Sequence, residues 1–127
     1  MIGSTNGVAV SITGIGVHVP DRVVTNNDMA ELVDTSDEWI VTRTGIRERR
    51  FAAPDEALSD ISLPAARAAL ESAGISAGDI DLLIVATVTP DMQFPSTAAL
   101  MADQLGATDA AAYDLAAGCT GFMYGIA

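Results

Sequence analysis

The apolar positions of the chain change period along its length, and those changes mark its elements. From Val8 to Val19, β-branched residues alternate with small or polar ones, which predicts a buried strand ended by Pro20-Asp21. Asp28 to Glu31 has capping-box spacing and predicts a short helix through Leu32. Thr35 and Glu38 repeat the spacing. A second helix is therefore expected from Thr35 as N-cap to about Thr44, with Gly45 closing it. Trp39 and Arg43 stand at i and i+4 on that helix and share a face.

Arg47 to Glu56 lacks apolar period and reads as a loop turning at Pro54-Asp55. An alanine-rich helix follows from about Ser59 or Ser62 to Ala73, with Pro64 in its first two turns and Gly74 as its stop. Leu82 to Val88 is a continuous apolar run, the pattern of a strand covered on both faces. Ser96 to Leu105 reads as a helix, Ala110 to Leu115 as a strand, and Gly121 to Ala127 as the opening of a further helix. Strands and helices in this alternation predict a layered α/β fold with a largely parallel or mixed sheet. No repeat, linker or low-complexity tract divides the chain.

At 127 residues, half of them apolar, the chain has the length and composition of one ordered domain. No apolar run has the length of a membrane span, and the first residues lack the pattern of a signal peptide. A single cysteine permits no internal disulfide, so a cytoplasmic protein is expected. The net charge of −11, from seventeen carboxylates against six arginines, makes nucleic acid and anionic membrane poor partners. Four of those arginines, Arg43, Arg47, Arg49 and Arg50, fall close together. They fit either a solvated salt-bridge cluster or a phosphate site, whose oxygens match guanidinium forks.

Cys119 is the only cysteine, and it lies where the last strand runs into a turn flanked by Gly118 and Gly121. Two readings stand on these residues alone. A lone cysteine can be a small buried hydrophobe. At a helix N-terminus, among free backbone N–H groups, a thiol is instead favoured as thiolate, and glycines let a substrate carbonyl approach. The turn's amides are then candidates to hold an oxyanion, in the manner of a nucleophile elbow. Metal binding finds no ligand set, because the only histidine is His18 at the end of the first predicted strand. Gly118-Cys119-Thr120-Gly121 has no phosphate-loop lysine. Trp39 is likewise open between core packing and ligand contact.

The segment Val33-Asp34-Thr35-Ser36-Asp37-Glu38-Trp39-Ile40-Val41-Thr42-Arg43-Thr44-Gly45-Ile46-Arg47-Glu48-Arg49 strongly resembles β-ketoacyl-[acyl carrier protein] synthase III. These condensing enzymes start bacterial type II fatty acid synthesis. Gly14-Ile15-Gly16 with Pro20, Thr25-Asn26, Phe94-Pro95-Ser96 and Ala117-Gly118-Cys119-Thr120-Gly121-Phe122 fit the same pattern. The resemblance runs from about Val10 to the last residue. It implies a thiolase-like fold of two similar α/β halves, working as a homodimer. It makes Cys119 the nucleophile that takes an acyl group from acyl-CoA, before condensation with malonyl-acyl carrier protein. It places Trp39 on the adenine of CoA, Arg43 and Thr35 in the same nucleotide groove, and Phe94 at the partner subunit's acyl pocket. It implies no metal and no resident cofactor, the CoA thioester being a substrate.

Whole members of that family are well over twice as long, and their second half supplies a histidine and an asparagine that act on the malonyl thioester. Residues 1–127 thus match only part of the first half, and decarboxylative condensation by these residues alone is expected to fail. Two further readings remain. One is a starter-unit acyltransferase or ketosynthase of polyketide or other secondary metabolism. The other is an inactive piece that binds only CoA or a partner subunit.

Overall fold

The computed structural model describes residues 10–127. Its elements in chain order are β1 (Arg22–Thr25), α1 (Asn26–Leu32), α2 (Asp37–Thr44), β2 (Glu48–Phe51) and α3 (Leu58–Ala73). Then come β3 (Leu82–Val85), α4 (Thr97–Leu105), β4 (Ala111–Asp114) and α5 (Gly121–Ile126). Single 3-10 turns occupy Ala77–Asp79 and Gly118–Thr120.

The strands form two separate pairs rather than one sheet. β1 and β2 are antiparallel, with Val24 opposite Arg49, whereas β3 and β4 are parallel, with Val85 opposite Asp114. The parallel pair needs a crossover, and α4 supplies it. Small residues let α4 sit close to its neighbours. Thr97, Ala98, Met101 and Ala102 are buried along one face of it, together with Leu63 of α3 and Ala107. This α4-centred cluster packs against β3 and β4.

Several sequence expectations shift. No strand forms between residues 10 and 20, and residues 1–9 lie outside the described residues. Instead the segment lies against the alanine face of α3. A Cβ on Gly14 would collide with the Ala69 carbonyl, and one on Gly16 with the Ala65 carbonyl. Its neighbour is a helix, and a helix offers no ladder to pair with. The expected loop from Arg47 contains β2, whose inward Arg49 meets polar partners where a strand usually carries an apolar side chain. β3 ends at Val85, and its residues are only half-buried or exposed, so it is not covered on both faces. Both early helix caps differ from the expected ones. Thr25 with Asp28 caps α1, and Ser36, not Thr35, caps α2.

Candidate active site

The α2 helix is short and only weakly amphipathic, with Ile40 and Val41 half-buried and no residue fully buried. Ser36 Oγ accepts the Trp39 N–H at 3.1 Å, and Gly45, at a φ of +73°, ends the helix by donating to the Val41 carbonyl. Asp37 and Glu38 fall in its first turn and Arg43 in its last, each favoured by the helix dipole. The i, i+4 spacing brings Arg43 over the Trp39 ring, 4.4 Å from its centroid. Such a stack at an exposed site contributes about 0.5–1 kcal/mol. Trp39 keeps 52% of its surface exposed, so it is not a core residue. Ser36, Glu38, Trp39, Thr42 and Arg43 line one shallow concavity of about 320 Å³. Thr35 is half-buried ahead of the cap and does not line it.

The cluster of four arginines divides by role. Arg50 donates to the carbonyls of Pro20 and Asp21, and Arg49 to the Val24 carbonyl and the Asn26 side chain. Those two tie β2 to β1 and to the residues that flank it. Arg43 and Arg47 are exposed and available to an anion from solution.

Cys119 lies in the 3-10 turn between β4 and α5, and its residue is exposed among the described residues. Leu115 N–H donates to the Val85 carbonyl at 2.8 Å, so the parallel ladder holds the chain up to the entry of the turn. Gly118 takes a φ of +54°, a left-handed conformation that a side chain resists. Gly121 is buried, and a Cβ there would stand 3.3 Å from the Ala86 Cβ. The two glycines therefore bend the chain and seat it on the end of β3, leaving the thiol outward. Thr120 N–H donates to the Ala117 carbonyl and Gly121 N–H to the Gly118 carbonyl. Those two amides are occupied within the turn and are not oxyanion donors in this conformation.

Phe94 is 87% exposed, in the loop that enters α4 through a cis Phe94–Pro95 bond. Carboxylates hold that loop from two sides. Asp91 accepts the Ser59 N–H at 3.0 Å and donates its own N–H to Thr97 Oγ1 at 2.9 Å. Asp114, closing β4, accepts the N–H groups of Thr97 and Ala98, each at 2.8 Å. The structure thereby ties the Phe94 loop to the strand that delivers Cys119. Trp39 and Arg43 are brought together, but on the β1–α2–β2 side, which joins the Cys119 turn by no direct hydrogen bond among the described residues. Sequence reasoning missed Asn26, Asp91 and Asp114 as organising residues. Only Thr25-Asn26 carried a signal, as part of the family pattern.

No family model matches the chain. Among curated proteins it is 62% identical over 117 residues to the β-ketoacyl-[acyl-carrier-protein] synthase III of Symbiobacterium thermophilum, covering 92% of this chain and 36% of that protein. It is 53% identical over 120 residues to the protein of the same name from Caldanaerobacter subterraneus, covering 94% of this chain and 36% of that protein. The chain belongs to the β-ketoacyl-[acyl-carrier-protein] synthase III family.

It spans 36% of the length of these relatives. The synthase III structure from Aquifex aeolicus superposes with a TM-score of 0.84 at 50% identity, covering 89% of this chain and 36% of that one. The priming β-ketosynthase of the R1128 polyketide pathway superposes with a TM-score of 0.85 at 41% identity, covering 90% of this chain and 34% of that one. The fold is thus the thiolase-like α/β fold of these synthases. Among the described residues no helix is long and apolar enough to cross a membrane.

Proposed function

We propose that this family member carries out the initiating condensation of type II fatty acid synthesis, with residues 1–127 supplying the nucleophile and part of the CoA groove. The observation that carries the proposal is the exposed Cys119 on its glycine-flanked turn, in a chain 62% identical to a synthase III. The Cys119 thiolate attacks the thioester carbonyl of an acyl-CoA; the tetrahedral adduct collapses to an acyl-cysteine, and CoA leaves as a thiol after taking up a proton. Malonyl-acyl carrier protein then loses CO2, and the resulting carbanion attacks the acyl-cysteine carbonyl. The product is a 3-oxoacyl carrier protein, and Cys119 is released as thiolate.

Trp39 offers its exposed ring face to the adenine, while Arg43 and Arg47 offer charge to the phosphates. Thr35 stands just ahead of the Ser36 cap, outside the concavity that Trp39 and Arg43 line. Phe94, held by Asp91 and Asp114, presents an exposed ring suited to closing a partner subunit's acyl pocket. The proposal includes a cytoplasmic homodimer that uses acyl-CoA and acyl carrier protein and has no resident cofactor. The histidine and asparagine of the family's malonyl chemistry belong to the part of the relatives beyond the match. Acylation by residues 1–127 without malonyl-dependent turnover is the expected division of labour.

The test is incubation with acetyl-CoA followed by peptide mass spectrometry. An acetyl thioester on Cys119, absent in Cys119→Ala, supports the proposal; a folded protein that stays unacylated refutes it. The likeness to the priming ketosynthase favours a second reading, starter-unit transfer in polyketide synthesis. A panel of acyl-CoA donors and carrier proteins separates the two.

A further inference from the structure

The α2 helix has no buried residue, yet it carries the two side chains proposed to meet the nucleotide. Only Ile40 and Val41 are half-buried on it, so side-chain packing holds Trp39 and Arg43 in direction only weakly. Elements with so little burial are loosely held unless polar contacts restrain them. Here one side chain supplies the restraint. Asn26, the first residue of α1, is 1% exposed. Its amide nitrogen donates to Asp37 Oδ1 at 2.7 Å and to the Ile46 carbonyl at 2.9 Å. Asp37 opens α2, and Ile46 follows the Gly45 stop, so the segment 37–46 begins and ends on a single nitrogen atom. The Asn26 amide oxygen accepts from Arg49 Nη2 at 2.6 Å, and Arg49 Nη1 donates to the Val24 carbonyl at 3.2 Å.

The orientation of the amide follows from its partners. A carboxylate and a carbonyl face one end and a guanidinium faces the other, so only nitrogen at the first and oxygen at the second satisfies all three. Few side chains meet this demand. Aspartate has no donor, serine has one, leucine has none, and glutamine reaches a methylene too far. A buried site that needs two donors and one acceptor in a plane selects asparagine.

We propose that Asn26 is a positioning residue for nucleotide binding, clamping both ends of α2 to the β1–β2 strand pair and so aiming the Trp39–Arg43 face. This rests on the reading that Trp39 and Arg43 contact the adenine nucleotide. Asn26 itself touches no substrate. Its effect passes through Asp37 and Ile46 to the helix, and through Arg49 to β1.

Trp39 is the only tryptophan, so its fluorescence reports α2 directly. The experiment compares Asn26→Leu and Asp37→Ser with Leu63→Ala, a cavity substitution in the α3 core away from α2. Each protein is titrated with CoA, its Trp39 emission is quenched with iodide in the absence of CoA, and its urea midpoint is measured. Leaving buried polar groups unpaired predicts about a tenfold loss of CoA affinity in Asn26→Leu and a smaller loss in Asp37→Ser. Both should also change iodide access to Trp39. Leu63→Ala should lower the urea midpoint while leaving CoA affinity and quenching near the parent values. Parent-like affinity and quenching in Asn26→Leu and Asp37→Ser overturn the proposal, as does an equal affinity loss in Leu63→Ala. Should Asn26→Leu not fold, Asp37→Ser, altered on the exposed helix, decides alone. A parent protein that ignores CoA refutes the nucleotide reading, while iodide quenching still tests the clamp.

Discussion

Asp114 and Thr97 are joined at 2.8 Å, the carboxylate at the end of β4 accepting the first N–H of α4. With the second bond, from Ala98, the carboxylate satisfies two of the four donors that a helix start leaves open. It also sits where the helix dipole favours negative charge. One residue thus couples the loop bearing Phe94 to the strand that leads to the Cys119 turn.

Replacing Asp114 by alanine should cost about 2–3 kcal/mol, the range for charged hydrogen bonds lost at a partly buried site. Urea unfolding measures it. Asp114→Asn should cost less, since it keeps an acceptor. Equal midpoints for Asp114→Ala and the parent would show that α4 does not depend on this cap.

Gly118 makes a second prediction. At a φ of +54° an alanine meets the left-handed penalty of roughly 1–2 kcal/mol. The space around it is open, so backbone strain is the only cost. Gly118→Ala should lower stability by about that amount and slow acylation of Cys119 by acetyl-CoA more than it lowers the folded fraction. A variant with parent stability and acylation would show that the turn tolerates another conformation.

These two sites mark the border of what could be read from the sequence. The face shared by Trp39 and Arg43 was legible because helical spacing alone places residues i and i+4 together. The Cys119 turn was legible from its flanking glycines. β2 was not, since Glu48-Arg49-Arg50-Phe51 shows no apolar alternation, and Arg49 is held inward by Asn26 and the Val24 carbonyl. The alternation of Val8 to Val19 predicted a strand, but a ladder also needs a neighbouring strand, and Gly14 and Gly16 lie on α3 instead. The α2 cap was expected at Thr35 from its spacing to Glu38. Ser36 takes it because its hydroxyl meets the Trp39 N–H.

Acid pH tests two capping carboxylates. Asp28 is held below the ordinary value of 3.8, first by the hydrogen bond from the Thr25 hydroxyl and then by that from the Thr25 N–H. Ser76 does the same for Asp79 through its hydroxyl and N–H. A depressed folded-state value means that the ionised form supports the fold. That contribution is complete above the unfolded value and is lost as pH falls through the folded one. The parent's urea midpoint should therefore drop as pH goes below 3.8. Asp28→Asn combined with Asp79→Asn should flatten the drop. Identical pH profiles would contradict the assignment.

The Trp39 ring face gives a fourth prediction. Base–aromatic stacking contributes about 1–3 kcal/mol, so Trp39→Ala should raise the acetyl-CoA concentration for half-maximal acylation by about tenfold or more. Trp39→Phe should recover part of that loss. An unchanged concentration dependence would remove Trp39 from the nucleotide groove.

The most direct measurement is the site and time course of acyl transfer from acetyl-CoA to the protein, followed by intact mass and peptide mapping. The account predicts one acetyl group on Cys119, formed saturably with CoA thioester, released by hydroxylamine, and lost in Cys119→Ala. A folded protein in which Cys119 stays free while CoA thioester is in excess, or one acetylated equally well in Cys119→Ala, would contradict it.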